Sequence, residues 1–263
     1  MSKKLKTLST DSLEISYTKY GKGNNLILFV HGWSCDQTYW KNQIEFFKNN
    51  YQVVTLDLGG HGNSGTNRKN WTISSFGDDV VSVVNQFKYR SLYMVGHSMG
   101  GMVVLDAASK LDSKRMSLFL VDEIKKRYWP VPEETFQDFI KPFIEDFRNH
   151  TKERVKTDDN FIEDSDPELI EWISTDMSSA PPEIAIPSLY DLRTRNFDET
   201  IAQLRKRNIS MTLINNKESE ERDKRELMQL GFRTEIIPKV GHFIMLEKPE
   251  EFNQTLFELI KSK

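Results

Sequence analysis

The stretch Ser91-Leu92-Tyr93-Met94-Val95-Gly96-His97-Ser98-Met99-Gly100-Gly101 decides the fold of this chain. Its first five residues form a near-continuous apolar run, the pattern of a strand buried on both faces. From Gly101 to Leu111 the apolar spacing becomes helical. Between them stands Gly96-His97-Ser98-Met99-Gly100, a G-x-S-x-G set where a strand turns into a helix. So sharp a turn leaves no room for a side chain at Gly96 or Gly100. It thrusts the Ser98 hydroxyl out at the strand's end, in the context of a nucleophile elbow. The helix that follows aims its first N–H groups at any oxyanion formed there.

Working outward, the same rhythm repeats. Leu13 to Lys19 alternates like a half-exposed strand. Asn25 to Val30, Tyr51 to Leu56 and Met116 to Val121 read as buried strands. Tyr39 to Asn49 and Ile73 to Phe87 read as helices between them. This alternation predicts an α/β fold, a mostly parallel central sheet flanked by helices. After Val121 the rhythm breaks. Helical stretches at Glu133 to Asn149, Pro167 to Met177 and Pro182 to Arg195 follow, punctuated by prolines. Strands resume at Ile209 to Ile214 and Arg233 to Ile237, and a last helix runs from Pro249 to Ile260. The expected division is a core of residues 1–122 and 209–263 with a helical cap at 123–208. The cap enters where a strand ends, on the side where such sheets bind ligands.

Two further motifs carry chemistry. His31-Gly32-Trp33 follows the strand Asn25 to Val30. Acyl transfer needs two N–H donors on its oxyanion. Met99, after the nucleophile, supplies one, and Trp33 is the natural source of the other, with His31 fixing the loop. Gly241-His242-Phe243 follows the strand Arg233 to Ile237. A histidine there, later in the chain than the serine, is placed to act as general base toward Ser98. His61 and His97 sit in glycine-rich turns, and His150 lies in the insertion, on its expected surface. Gly60 to Gly65 matches a dinucleotide-binding G-x-G-x-x-G, but no helix opens at its third glycine and Asp78 and Asp79 fall in a helical pattern.

Together HGWSCD, DLGGHGNSG, GHSMGG and VGHFIMLEKPEEF resemble the signatures of the α/β-hydrolase superfamily, in order and spacing, from about Leu13 to the C-terminus. The resemblance implies an α/β-hydrolase fold, Ser98 as nucleophile, His242 as base and the Trp33 and Met99 amides as oxyanion donors. It also implies that Asp57 to Gly65 packs beside the oxyanion loop and does no chemistry. The family's usual acid follows the strand here at Ile209 to Ile214, in a pattern like G-x-x-D-x-x-x-P. This chain reads NNKESEERD there, with Ser219 at the aspartate position. A minority of the superfamily carries the acid one strand earlier, which makes Asp122 the preferred orienting acid. Glu218, Glu220, Glu123 and Asp223 remain alternatives.

The expected reaction is hydrolysis of a carboxylic ester, thioester or lactone of a small, partly apolar substrate through an acyl-enzyme on Ser98. Trp33, Trp129, Phe136, Phe139, Phe143 and Trp172 are candidate substrate contacts, with Met177 and Tyr190 also in the insertion. Dehalogenases and epoxide hydrolases of the fold use a carboxylate nucleophile, and Ser98 argues strongly against both. Two other classes stay open: a cofactor-independent dioxygenase or carbon–carbon lyase using the His242–Asp122 pair, and a non-catalytic small-ligand receptor.

Bulk properties narrow the rest. The 263 residues carry a net charge of −3, with 38% hydrophobic and 29% charged residues, and show no clustered basic excess. That argues against nucleic acid as a partner. Apolar runs are too short to span a bilayer, and no apolar leader follows the N-terminal lysines. Cys35 is the sole cysteine, so no internal disulfide forms. The expectation is a cytoplasmic monomer or homodimer with no metal or organic cofactor.

Overall fold

A computed structural model describes residues 2–113, 115–124, 132–157 and 160–263. Eight strands form one sheet: β1 (Lys3–Leu8), β2 (Glu14–Tyr20), β3 (Asn25–Val30), β4 (Gln52–Leu56), β5 (Ser91–His97), β6 (Met116–Val121), β7 (Ser210–Asn215) and β8 (Phe232–Ile236). Their spatial order is β1-β2-β4-β3-β5-β6-β7-β8. β1 and β2 run antiparallel, β2 is antiparallel to β4, and the remaining pairs are parallel.

The buried strands read as unbroken apolar runs because both faces are covered. In β3, Leu26, Leu28 and Val30 join one core while Ile27 and Phe29 join the other, the two-residue alternation of a strand. The first core receives α2 (Ile73–Val84) and α3 (Met99–Lys110) through residues such as Phe76, Val80 and Val103. The second receives α1 (Lys41–Phe47) and α11 (Pro249–Lys261) through Ile44, Phe47, Phe252 and Leu256. Each such side chain removed from water contributes roughly 1.5–3 kcal/mol. The order of connection reverses around β3, which lies between β4 and β5. Such a switch point opens a crevice at the strands' C-terminal ends, and the loops after β3 and β5 carry Trp33 and Ser98.

Among the described residues five helices lie between β6 and β7: α4 (Glu133–Glu145), α5 (Phe147–Thr157), α6 (Pro167–Ser178), α7 (Pro182–Thr194) and α8 (Asp198–Lys206). The single helix expected over Glu133 to Asn149 is two helices. The backbone leaves the helical region at Asp146 (φ −151°, ψ 79°), and the Asp146 carboxylate accepts the Asn149 N–H (3.3 Å) and side-chain amide (2.8 Å), capping α5. Strand β1 and helix α8 were not expected. β1 alternates lysines with partly buried leucine, a weak signal at a sheet edge. The charged run at Lys217 to Glu226 opens α9 (Glu221–Gln229), and a one-turn α10 (Ile244–Glu247) follows the His242 loop.

Candidate active site

Ser98 sits between β5 and α3 with φ 50° and ψ −126°, a conformation L-residues avoid and one that stores strain. Neighbouring backbone enforces it. A Cβ on Gly96 would meet the Gly100 carbonyl oxygen at 2.1 Å, and one on Gly100 would lie 2.5 Å from the His31 carbonyl oxygen. The Ser98 N–H is tied to the Val121 carbonyl of β6 (2.9 Å). Met99 is the first residue of α3, so its N–H has no acceptor within the helix.

Register sets the next residue. His97 pairs with Val121 across β5 and β6, so Ser98 and Asp122 emerge side by side. Asp122 (φ 52°) has a fully buried side chain. Its Oδ1 accepts the Asn216 N–H (3.1 Å), and its Oδ2 accepts the His242 Nδ1–H at 2.6 Å. With the proton on Nδ1, Nε2 of His242 is a base. The rival carboxylates lie elsewhere. Glu218 is exposed and pairs with Lys224, Glu220 is exposed, and Asp223 belongs to α9. Glu123 is half-buried, its Cβ beside Gly101.

The His242 loop must cross from the β8 edge toward β5, and it is fastened on several sides. The His242 N–H donates to the Asn160 carbonyl (2.7 Å), and the Gly241 N–H to Glu247 Oε1 (3.0 Å). Phe243 stacks on Phe161, centroids 5.5 Å apart and planes 20° from parallel. A Cβ on Gly241 would lie 2.1 Å from the Asn160 carbonyl oxygen, so only glycine allows this approach. His97 donates from Nε2 to the His242 carbonyl (3.0 Å). Burial, and then the nearby His242 charge, hold His97 well below its ordinary pKa, so it serves as a neutral strut.

The loop after β3 is built around His31. Its Nε2 accepts the Leu58 N–H (3.0 Å), so its proton is on Nδ1 and goes to the Gly32 carbonyl (2.8 Å). Burial lowers its pKa, which keeps it neutral and in that tautomer. A Cβ on Gly32 would sit 3.3 Å from Ser98 Cβ, so the Gly32-Trp33 backbone abuts Ser98. The Asp57 to Gly65 segment packs beside it as a brace. Asp57 accepts the Gln37 N–H (3.0 Å), the Gln37 amide (2.9 Å) and the Asn63 N–H (2.9 Å). The G-x-G-x-x-G there closes on itself through Gly60 N–H to the Gly65 carbonyl (2.8 Å). Asp79 on α2 is paired with Arg68.

His61 in this brace is buried, and burial lowers its pKa from 6.5 to about 3, with His31 adding repulsion. Between those values the unfolded chain binds a proton that the folded chain does not. Stability is therefore full above pH 6.5 and falls on acidification, by about 1.4 kcal/mol per pH unit from this group, until about pH 3. Urea midpoints between pH 6 and 4.5 should fall less steeply for His61→Asn, which keeps a donor toward Gly59, than for the parent chain. Equal slopes would show that His61 is not the group responsible.

Ser98 and His242 line one cavity of about 140 Å³. Gly32, Trp33, Cys35, His97 and Phe243 complete its core wall. From the insertion come Phe139, Phe143 and Met177, as expected from sequence, and Thr151, Arg154, Asn160, Leu189 and Arg193, which were not anticipated. Thr151, Arg154, Asn160 and Arg193 are charged or short polar residues, which read as solvated surface in sequence. Trp33 reaches into the insertion: its Nε1–H donates to the Ala185 carbonyl (2.7 Å), and its ring meets Phe143 edge-on at 5.7 Å. Two expected contacts are corrected. Phe136 is buried against Phe139 and Tyr190, and Trp172 lies against Tyr39, 4.8 Å between centroids; neither lines the cavity. Each finds an aromatic neighbour that satisfies its burial away from Ser98. Trp129 lies outside the described residues. His150, expected on the surface, packs against Phe143 at 4.5 Å. No group of His, Cys, Asp and Glu able to hold a metal occurs among the described residues, and no described helix is long and apolar enough to cross a membrane.

The family model described as "Alpha/beta hydrolase family" matches residues 27–255. The chain belongs to the alpha/beta hydrolase family. It superposes along nearly its whole length on solved structures. A bromoperoxidase from Bacillus anthracis gives a TM-score of 0.82 at 19% identity, over 98% of this chain and 100% of that one. An esterase from Exiguobacterium antarcticum gives 0.80 at 19% identity, over 97% and 98%. By sequence this hydrolase-family member is 27% identical over 97 residues to 3-oxoadipate enol-lactonase 2 of Acinetobacter baylyi, 36% of each chain. It is 30% identical over 114 residues to the dihydrolipoyllysine-residue acetyltransferase component of the acetoin cleaving system of Cupriavidus necator, 43% of this chain and 30% of that one. The chain spans about a third of the length of the curated relatives it matches.

Proposed function

We propose that this protein hydrolyses a small carboxylic ester, thioester or lactone through an acyl-enzyme on Ser98. The observation that carries this reading is the 2.6 Å bond from His242 Nδ1 to buried Asp122, on a histidine that shares a cavity with a serine held at φ 50°. Ser98 Oγ attacks the carbonyl carbon while His242 Nε2 takes its proton. The tetrahedral oxyanion is met by the Met99 and Trp33 N–H groups. His242 returns the proton to the departing alcohol or thiol. Water then attacks the acyl carbon by the same route in reverse, its proton passing through His242 to Ser98. Asp122 holds the tautomer and stabilises the imidazolium. The segment 123–208 acts as the cap over this reaction, and its rings form the apolar part of the acyl pocket.

The cavity of about 140 Å³ matches in scale the engineered cavity of roughly 150 Å³ that holds benzene. In a p-nitrophenyl series from acetate to decanoate, kcat/KM should therefore peak at acetate to butyrate and fall steeply beyond hexanoate. A flat or rising profile to decanoate would remove the small-acyl assignment. Absence of turnover on every ester, in well-folded protein, would remove the esterase reading.

A further inference from the structure

The stretch Val240 to Glu247 ends on a carboxylate that hydrolysis at Ser98 does not use. Glu247 closes α10, little more than one helical turn after His242. Neither Glu247 nor Ser165 lines the cavity at Ser98. The two carboxylate oxygens bridge distant parts of the chain. Oε1 accepts the Gly241 N–H (3.0 Å), and Oε2 accepts the Ser165 hydroxyl at 2.6 Å. Ser165 is itself held in a tight turn. Its Oγ accepts the Ile162 N–H (3.0 Å), and its own N–H donates to the Ile162 carbonyl (3.0 Å). The hydroxyl proton is thereby left for Glu247. Both donors to Glu247 are neutral, while Lys248 beside it turns to the Pro238 carbonyl (2.6 Å) and to Glu251 (3.3 Å). The turn at 160–165 meets the His242 loop twice more, through the Asn160 carbonyl on the His242 N–H and through Phe161 on Phe243. Residues 160–165 and 241–247 thus form one closed latch with His242 inside it. Gly241 is buried, so its N–H would lose a hydrogen bond that is costly to leave unmade if the carboxylate were removed.

We propose that Glu247 is a positioning residue: its carboxylate latches the Gly241-His242 loop to the 160–165 turn, so that the segment between β6 and β7 sets where the His242 ring stands. The ring has two demands to meet at once, Nδ1 on Asp122 at 2.6 Å and Nε2 toward Ser98. It hangs from the backbone by two torsions, so a shift at Gly241 or His242 carries the ring with it. A displacement of about 1 Å caused far from the chemistry can cost on the order of 10²-fold in rate. Hydrogen bonds to a carboxylate are short and strong, which suits Glu247 to hold a loop that no strand supports at this point.

The inference rests on the proposed hydrolysis for its kinetic readout but not for its spectroscopic one. Glu247→Ala should lower kcat on p-nitrophenyl acetate by roughly 10- to 100-fold and leave KM within about twofold, because Glu247 lies outside the cavity. Ser165→Ala, which breaks only the Oε2 arm, should lower kcat less, and the double variant should be no worse than Glu247→Ala alone, as for residues acting through one contact. Glu247→Gln should recover most of the rate, since an amide can give its oxygen to the Gly241 N–H and its N–H to Ser165 Oγ. Glu251→Gln, at the exposed carboxylate nearby, should change neither constant. Ring position is read without turnover from the His242 Cε1–H resonance, assigned by its loss in His242→Asn. That resonance is sensitive to displacement because the His97 and Phe243 rings lie 4.6 and 5.3 Å from the imidazole, between centroids. It should move in Glu247→Ala and Ser165→Ala and return in Glu247→Gln. A moved resonance in a parent chain that turns over no ester would keep the latch and remove the hydrolase reading. An unmoved resonance in both alanine variants, with kcat within twofold of the parent, would overturn the latch, even if those variants melt earlier. Ser165→Ala decides if Glu247→Ala does not fold.

Discussion

Asp122→Asn is expected to lower kcat on p-nitrophenyl acetate by about 10²- to 10⁴-fold, judged by the loss when a triad aspartate becomes an amide. The physical cause is the tautomer. The carboxylate accepts the His242 Nδ1–H at 2.6 Å, which leaves Nε2 as the acceptor for the Ser98 proton. An asparagine can turn its amide N–H toward Nδ1, which drives the imidazole proton to Nε2 and disables the base. The side chain is fully buried, so no water replaces the lost charge. Glu218→Gln is the control. Glu218 is 66% exposed and engages Lys224, so its loss should change kcat less than twofold. A larger loss from Glu218→Gln than from Asp122→Asn would move the orienting acid to the loop after β7.

Replacing Ser98 should have the largest effect, with a stability signature that only this geometry predicts. Ser98→Ala and Ser98→Gly both remove the proposed nucleophile and should cost on the order of 10⁶-fold in kcat. They differ in backbone. At φ 50° and ψ −126° any residue with a Cβ carries strain of about 1–3 kcal/mol, which glycine does not, offset by roughly 0.5–1 kcal/mol of added chain entropy on unfolding. A net gain of about 1 kcal/mol corresponds to about 2–4 °C in Tm for a chain of this size. Ser98→Gly should thus melt a few degrees above Ser98→Ala while equally inactive. Identical melting temperatures would mean that the elbow is not strained.

The parts of this molecule legible in sequence are those where one local rule acts alone. The buried strands announced themselves because both faces are apolar, and the elbow because two glycines bracket a serine. Asp122 was harder. Its position depends on β5 and β6 lying side by side in register, which no residue near it encodes, and resemblance to the family made it the preferred acid while leaving Glu218, Glu220, Glu123 and Asp223 as alternatives. The helices between β6 and β7 were least legible. Phe136 and Trp172 are as aromatic as Phe139 and Phe143, and only tertiary packing decides which rings face the cavity. Thr151, Arg154 and Arg193 could not be found by periodicity, because a polar residue facing a site and one facing water look the same along a helix. Their signal is spatial: all three line the cavity, and the buried Thr151 hydroxyl has no hydrogen-bond partner among the described residues.

The central claim is that Ser98 becomes acylated. Its most direct test is intact-mass spectrometry of protein quenched during reaction with p-nitrophenyl acetate, or labelled with an organophosphonate, followed by peptide mapping. The predicted result is one adduct per chain, on the peptide bearing Ser98, absent from Ser98→Ala and slow to form in Asp122→Asn. An adduct on another residue, or ester turnover that survives Ser98→Ala undiminished, would contradict it.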